Sequence, residues 1–238
     1  MKTIKKLSLI IIFVLAININ AFAASGFEAI INVPLGMSVG ISDGLTENYS
    51  TKSAVGFNSG VTAQIGYLIG LGKIGISILG EFGYSYDSYR IYESLRLNDK
   101  NKIEIYTSTY THSFQAGILP KVNIGAFAIG FGAGVKIPLS ANVELKTITT
   151  VLGVPNTGTV NSKLNRDDIK NYDRNVIPYI KLTFDYSIFL TSKAAINLGA
   201  YLGYDFGLAN KNPINNEYIG VDSFDIGFQL GLRFAPKL

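Results

Sequence analysis

Strict alternation of apolar and polar residues is the feature that most constrains this chain. It recurs in eight stretches after residue 25. In the last stretch the apolar row is Phe224, Ile226, Phe228, Leu230, Leu232 and Phe234, and the other row is Asp225, Gly227, Gln229, Gly231 and Arg233. A period of two sends neighbouring side chains to opposite faces of a β-strand. Repeated around a closed sheet, it gives an apolar surface for lipid and a polar interior.

The eight stretches predict strands, and the connectors between them alternate in length. The predicted strands are 27–41, 57–69, 74–86, 103–118, 124–137, 176–190, 194–206 and 221–234. Short turns are expected at 70–73, 119–123 and 191–193, and long loops at 42–56, 87–102, 138–175 and 207–220. Short periplasmic turns and long outer loops are typical of bacterial outer-membrane barrels. The fold predicted is all-β: a closed, antiparallel, eight-stranded transmembrane β-barrel.

Two other folds share features of this pattern. A membrane helix over 61–80 is disfavoured, because that stretch contains five glycines and keeps its period of two on both sides of a turn. A soluble sandwich or lipocalin-like barrel would show the same alternation with its apolar row inside. The polar row of this chain is rich in Gly, Ala, Ser and Thr, whereas a soluble outer face would be rich in Lys and Glu. The transmembrane barrel is therefore favoured.

The first 23 residues have the features of a secretory signal. Three lysines precede the apolar run 7–16, and Ala21-Phe22-Ala23 precedes the expected cleavage site. We therefore predict a signal peptide at 1–23 and one barrel domain at 24–238. Removing the signal leaves 18 basic against 17 acidic residues, which favours no nucleic-acid partner. The chain has no cysteine, which excludes disulfides and cysteine-ligated metals.

The terminal stretch 225–234 resembles the C-terminal β-signal of outer-membrane proteins. Together with the signal, the strand count and the connector lengths, it resembles the small eight-stranded outer-membrane barrels of the OmpX, OmpW and OmpA membrane-domain type. The resemblance implies that the insertion machinery reads this strand, and that outer-membrane lipid surrounds it. The insertion signal is assigned to Asp225, Gly227, Leu230, Leu232 and Phe234. Pro236 is expected to end the strand near Phe234 and to leave the last four residues free.

Charged residues in the polar row are predicted to lie in the lumen. Glu28 and Arg233 fall near the periplasmic ends of the first and last strands, which must pair to close the barrel, so we predict a closing ion pair between them. Glu81, Lys136, Lys181 and Asp225 form a predicted lumen charge belt. Such a belt either gates a narrow water path or satisfies charges in a filled interior. The filled interior is favoured.

No catalytic, metal or cofactor site is predicted. His112 is the only histidine, which argues against a multi-histidine metal site. Its position in the alternating pattern predicts that the His112 side chain faces lipid. Phe114, two residues later, lies in the same row, and Ser113 between them is predicted to face the lumen. Barrel enzymes that deacylate lipid A have a serine at that later position, and a palmitoyl-transferring barrel has its histidine inside. An enzyme is therefore the third hypothesis, after a surface protein and a channel.

The long loops are the remaining candidates for function. Residues 142–151 alternate and are expected to extend the fifth strand into a hairpin above the membrane. Loops on a rigid scaffold commonly bind ligands. The function predicted is a non-enzymatic surface protein that serves membrane integrity or binds a host or surface ligand through its outer loops. The alternative is a narrow channel for small or apolar solutes.

Overall fold

A ring of eight antiparallel strands forms the body of the protein within the part of the chain that the structure describes. The structure, a computed structural model, describes residues 24–42, 50–98, 100–211 and 218–238. The strands are β1 (Gly26–Ser42), β2 (Ser50–Leu71), β3 (Ile74–Asn98), β4 (Asn101–Ile124), β5 (Phe127–Val151), β6 (Val154–Asn165), β7 (Ile177–Phe189), β8 (Ala194–Asp205), β9 (Ala209–Lys211) and β10 (Tyr218–Phe234). A single helical turn, α1 (Arg166–Ile169), follows β6.

The ring closes between the first and the last long strand. Its order is β1, β2, β3, β4, β5, β7, β8 and β10, and β10 pairs again with β1. The closing register runs from Ala29 opposite Phe234 to Ser42 opposite Val221. The short strands β6 and β9 lie off the ring, on β5 and β10 respectively. The predicted closed antiparallel barrel is therefore confirmed.

The outer surface of the ring is apolar and the interior is polar. Phe228 is 76% exposed, Ile118 66% and Phe27 62%, and every one of them belongs to the predicted lipid-facing row. Asn32, Gln64 and other polar residues of the opposite row are fully buried. A soluble barrel would have the reverse arrangement. The chain is an outer-membrane β-barrel, because a closed sheet satisfies its backbone within lipid while its outer face meets the acyl chains.

Aromatic side chains cluster near both rims of the apolar band. Phe127 and Tyr186 pack with ring centroids 4.7 Å apart at the turn end of the barrel. Tyr204 and Phe206 pack at 5.0 Å at the opposite end. Such girdles are typical of membrane barrels. No helix within the described residues has the length and apolarity to cross a membrane.

Three neighbouring strands are much longer than a membrane crossing requires. β3, β4 and β5 contain 25, 24 and 25 residues, whereas a tilted crossing needs about 9–11. The predicted loop 87–102 is therefore wrong: most of it is the top of the β3–β4 hairpin. The predicted hairpin within 138–175 is present, as β5 and β6. Together these strands raise a sheet above the outer rim.

The predicted short turn at 119–123 is also wrong. β4 continues through Pro120 to Ile124, and the turn lies at Gly125 and Ala126, where Gly125 has a φ of 59°. The ladder between β4 and β5 omits Leu119 and Pro120, which accommodates a proline that has no N–H to donate. As a consequence Lys121 lies inside the barrel, not in a periplasmic turn.

The four residues after β10 are not free, contrary to the expectation from sequence. Ala235 N donates to Lys193 O at 3.0 Å, and Lys237 N donates to Ser192 O at 3.2 Å. The Leu238 side chain reaches the periplasmic mouth, where it and Leu68 share the space above Gly75. Pro236 ends the strand, yet the segment folds back under the barrel because the mouth offers it apolar surface. The predicted signal peptide at 1–23 lies outside the described residues, and its role stays a prediction.

Candidate functional site

The lumen is filled by side chains that pair across the barrel in layers. In the layer nearest the periplasm, Arg233 Nε lies 2.8 Å from Glu28 Oε1. The same guanidinium donates to Ser187 Oγ and Asn123 Oδ1, each at 3.0 Å. Ser77 donates to the other oxygen of Glu28. Glu28 and Arg233, the predicted closing ion pair, thus lie together at the seam between β1 and β10, and their side chains are almost completely buried.

A second layer is centred on Lys121 and Asp185. Lys121 Nζ lies 2.8 Å from Asp185 Oδ2, and both side chains are at most 2% exposed. Gln229 Nε2 donates to Asp185 Oδ1 at 2.6 Å, and Asn197 Nδ2 donates to it at 3.2 Å. Lys121 was not predicted to lie in the lumen, because Pro120 suggested a turn at 119–123. The period of two does continue past it, through Val122 and Ile124.

The middle layer contains one half of the predicted charge belt. Lys181 Nζ lies 2.6 Å and 2.7 Å from the two oxygens of Glu81. Gln64 Nε2 donates to Glu81 at 2.8 Å, Tyr179 Oη at 3.1 Å and Gln115 Nε2 at 3.2 Å. Five hydrogen bonds therefore hold this carboxylate, which is the pattern of a structural core.

The other half of the predicted belt forms a separate layer nearer the outer rim. Lys136 Nζ lies 3.0 Å from Asp87 Oδ1 and 2.5 Å from Asp205 Oδ2. Asp225 joins them, since one oxygen from each of the three aspartates lies within 4.8 Å of the others. The four belt residues thus belong to two layers. Asp87 was missed because strand 3 was expected to end at Tyr86.

A small polar cavity lies between these two layers. Its volume is about 50 Å³, and the lining residues include Asn58, Thr62, Ser85, Gln115, Tyr179, Lys181 and Tyr201, with Lys136 and the three aspartates. Because a water molecule occupies roughly 30 Å³ in the liquid, this space has room for one or two water molecules. A solute would have to displace the ion pairs above and below it.

The residues assigned to the insertion signal lie along β10. Leu230, Leu232 and Phe234 face lipid, whereas Asp225 is buried in the lumen. Gly227 lies opposite Gly36 across the seam. A Cβ at Gly227 would come within 2.6 Å of the Tyr201 hydroxyl, so this glycine gives a lumen tyrosine room. Recognition of the strand by the insertion machinery stays a proposal.

His112 faces outward among aromatic side chains. Its Nδ1 lies 2.6 Å from the Tyr84 hydroxyl, and its ring centroid lies 5.1 Å from that of Tyr86. Ser113 is on the lumen side and is completely buried. The histidine and the serine therefore lie on opposite faces of β4, so the two cannot act together on one lipid.

Above the rim, the β3–β4 and β5–β6 hairpins are joined at their tips. Gly153 N donates to Lys100 O at 2.9 Å, and Leu152 N donates to Asn101 Oδ1 at 2.9 Å. Twelve residue pairs, from Ser140–Asn165 to Val151–Val154, hold β6 on β5. On β3 and β4, Glu104 accepts from Lys102 at 2.9 Å and from Tyr92 Oη at 2.9 Å, and these bonds lower the pKa of its carboxyl group. The raised sheet is thus tied together across its width.

The tip of the β5–β6 hairpin is apolar and exposed. Leu152 is 75% exposed, and its neighbours Val154 and Val151 are 69% and 56% exposed. Leu152 also has a φ of 53°, the only positive φ at a non-glycine residue within the described backbone. Large aliphatic residues rarely adopt this left-handed conformation. Leu152 therefore exposes an apolar side chain to solvent and adopts a strained backbone conformation, and both are energetically unfavourable.

Comparisons with known proteins find similarity to solved structures only. No family model matches the chain, and no curated protein matches it. Among solved structures, Ail, the attachment invasion locus protein of Yersinia pestis, is 14% identical, with a TM-score of 0.33, over 87% of this chain and 99% of that one. Neisserial surface protein A is 12% identical, with a TM-score of 0.31, over 89% and 98%. OprG from Pseudomonas aeruginosa is 13% identical, with a TM-score of 0.31, over 90% and 98%. At these identities the similarity concerns the fold alone.

Proposed function

We propose that this outer-membrane barrel is a non-enzymatic surface protein that binds another cell or an external ligand through the raised β3–β6 sheet. The observation that carries the proposal is the exposed apolar tip at Leu152. A leucine in a left-handed turn at the far end of a hairpin contributes nothing to the packing of the barrel. Strain and exposure together at one residue are typical of sites retained for function.

The sheet below the tip supports the same proposal. Binding sites are commonly placed on connecting segments that a rigid scaffold positions. Here the scaffold extends into the hairpins, because β3, β4 and β5 run without interruption from the barrel wall to the raised sheet. The ligand would therefore meet a preformed surface, which lowers the entropy lost on binding.

Leu152→Gly should abolish or strongly reduce binding while leaving the barrel intact. Glycine adopts a positive φ without strain, so folding stability should stay equal or rise. The measurement is the adhesion of a laboratory bacterium displaying the full chain to cultured epithelial monolayers, together with cell–cell aggregation. Barrel folding is followed by the shift in gel mobility on heating.

Removal of the hairpin provides the larger version of this test. Glu144 lies opposite Asn161, so 145–160 can be replaced by a two-residue Asn-Gly turn that keeps the register. Shortening the β3–β4 hairpin between Ser94 and Glu104, which also lie opposite each other, should weaken adhesion as well, because it removes the acceptors Lys100 O and Asn101 Oδ1 that hold the tip. Lys170→Met on α1, outside the raised sheet, is the control and should leave adhesion unchanged. Full adhesion by a folded Leu152→Gly protein and by the folded β5–β6 truncation would refute the proposal.

The same view of the lumen predicts a barrel that does not conduct. Purified chain refolded in planar lipid bilayers should give no discrete current steps, because the ion pairs of Glu81, Lys181 and Lys136 block the interior. Discrete steps whose size changes in Glu81→Gln would instead support the alternative, a narrow channel.

A further inference from the structure

The charges buried in the lumen balance in pairs except in one layer. Glu28 pairs with Arg233, Asp185 with Lys121, and Glu81 with Lys181. At the outer rim, Asp222 pairs with Arg174 at 3.0 Å. The outer layer is different, because Asp87, Asp205 and Asp225 share the single cation Lys136. With all groups ionised, this layer has an excess of two negative charges.

Among the side chains that the structure describes, Lys136 is the one basic group in an ion pair with these aspartates. The internal segments beyond the described residues, 43–49, 99 and 212–217, contain neither lysine nor arginine. Uncompensated buried charge is strongly unfavourable in a protein interior. The layer must therefore take up positive charge from solution, as protons or as a metal ion.

We propose that the Asp87–Asp205–Asp225 layer binds one divalent cation of the calcium type. An excess of two negative charges matches the charge of one such ion. The ligand atoms are all oxygens, which hard cations prefer. Their mutual separations within 4.8 Å fit around one ion, because oxygens on opposite sides of Ca²⁺ lie roughly 5 Å apart, twice the Ca–O bond length.

Unpartnered polar atoms around the carboxylates point to the same ligand. Asp87 Oδ2 is buried without a hydrogen-bond partner among the described residues, and so are Thr62 Oγ1 and Ser85 Oγ, which line the adjoining cavity. The Tyr89 hydroxyl is likewise buried without a partner there, and it lies in the field of all three aspartates. Buried polar atoms normally have partners. The cavity of about 50 Å³ has room for an ion with a water ligand.

The role of Lys136 is then that of a partial counter-ion. It neutralises one of the three carboxylates and holds Asp87 and Asp205 together from one side. The site keeps two negative charges, enough for one divalent cation. Loss of the lysine should therefore raise the affinity for the cation, whereas loss of an aspartate should lower it.

Binding is tested with the full chain refolded in vesicles of a synthetic zwitterionic lipid and stripped with a chelator. Ca²⁺ should bind one per barrel in calorimetry, and Tb³⁺ should give luminescence sensitised by tyrosine that Ca²⁺ displaces. Asp87→Asn and Asp225→Asn should each weaken binding by about 10–100-fold, as loss of metal-site contacts typically does. Lys136→Met should tighten it, and Tyr89→Phe should dim the Tb³⁺ signal.

Controls separate this site from general electrostatics and from misfolding. Asp167→Asn removes an exposed carboxylate on α1 and should leave binding unchanged. Each variant is first shown to fold by its heat-dependent gel shift, and the two aspartate variants are alternatives if one fails to fold. The proposal is overturned if Tb³⁺ gives no saturable signal. It is equally overturned if that signal survives both aspartate substitutions, or if acid–base titration shows two protons bound while calorimetry shows no Ca²⁺ uptake. Saturation by Mg²⁺ alone would overturn the assignment to calcium.

Discussion

Replacing Arg233 with methionine should lower the free energy of unfolding by about 3–5 kcal/mol, because it leaves a buried carboxylate without its charged partner. The guanidinium is the partner of Glu28 and also donates to Ser187 and Asn123. Glu28 is completely buried, so water cannot replace the lost bonds. The measurement is equilibrium urea unfolding in synthetic lipid vesicles, followed by far-UV circular dichroism and by the heat-dependent gel shift.

A double-mutant cycle separates loss of the pair from loss of packing. Glu28→Gln combined with Arg233→Met removes both charges, so its effect should be clearly smaller than the sum of the two single effects. The exposed pair Lys170–Asp167 is the matched control. Lys170→Met should leave the free energy of unfolding nearly unchanged. A loss below about 1 kcal/mol for Arg233→Met would contradict a closing role for this pair.

Replacing Asp185 with alanine should have an effect of similar size, about 3–5 kcal/mol, in the neighbouring layer. The substitution leaves the Lys121 ammonium group buried without a charged partner. It also removes the acceptor for Gln229 and Asn197. The same urea titration in vesicles measures the loss.

Removing the unpaired ammonium group of Lys121 should restore most of the stability lost in Asp185→Ala. Lys121→Met in the Asp185→Ala background replaces the ammonium group by an apolar end of similar length, which the adjacent Leu119 can contact. Asp185→Asn keeps an acceptor for the amide donors, so it should be less harmful than alanine. If Asp185→Ala with Lys121→Met were no more stable than Asp185→Ala alone, the ion pair would not be the source of the loss.

The barrel and most of its interior were predictable from sequence, because one periodicity determines both. Once Phe228 and its row face lipid, the residues between them must face the lumen, and Glu81, Lys181 and Asp225 were assigned by that rule. Closure of the ring brought Glu28 to Arg233 for the same reason. These predictions required only two things: which face of the strand a residue occupies, and its approximate position along the barrel axis.

The remaining features depend on where strands end, which periodicity does not determine. Pro120 suggested a turn, yet it is tolerated within β4, so Lys121 was left out of the lumen. The third strand was predicted to end at Tyr86, but β3 continues to Asn98 and places Asp87 inside the barrel. The fold-back of Leu238 depends on space at the mouth between Leu68 and Gly75, which sequence pattern does not describe.

The continuity of β5 from the barrel wall to the hairpin tip determines how the protein responds to pulling. A force applied at Leu152 along the strand axis acts perpendicular to the inter-strand hydrogen bonds. Twelve residue pairs with β6 and the long ladder with β4 then share the force at once, whereas a flexible loop would extend first and break its contacts one by one. A cell held by this tip would be joined mechanically to the wall of the barrel itself.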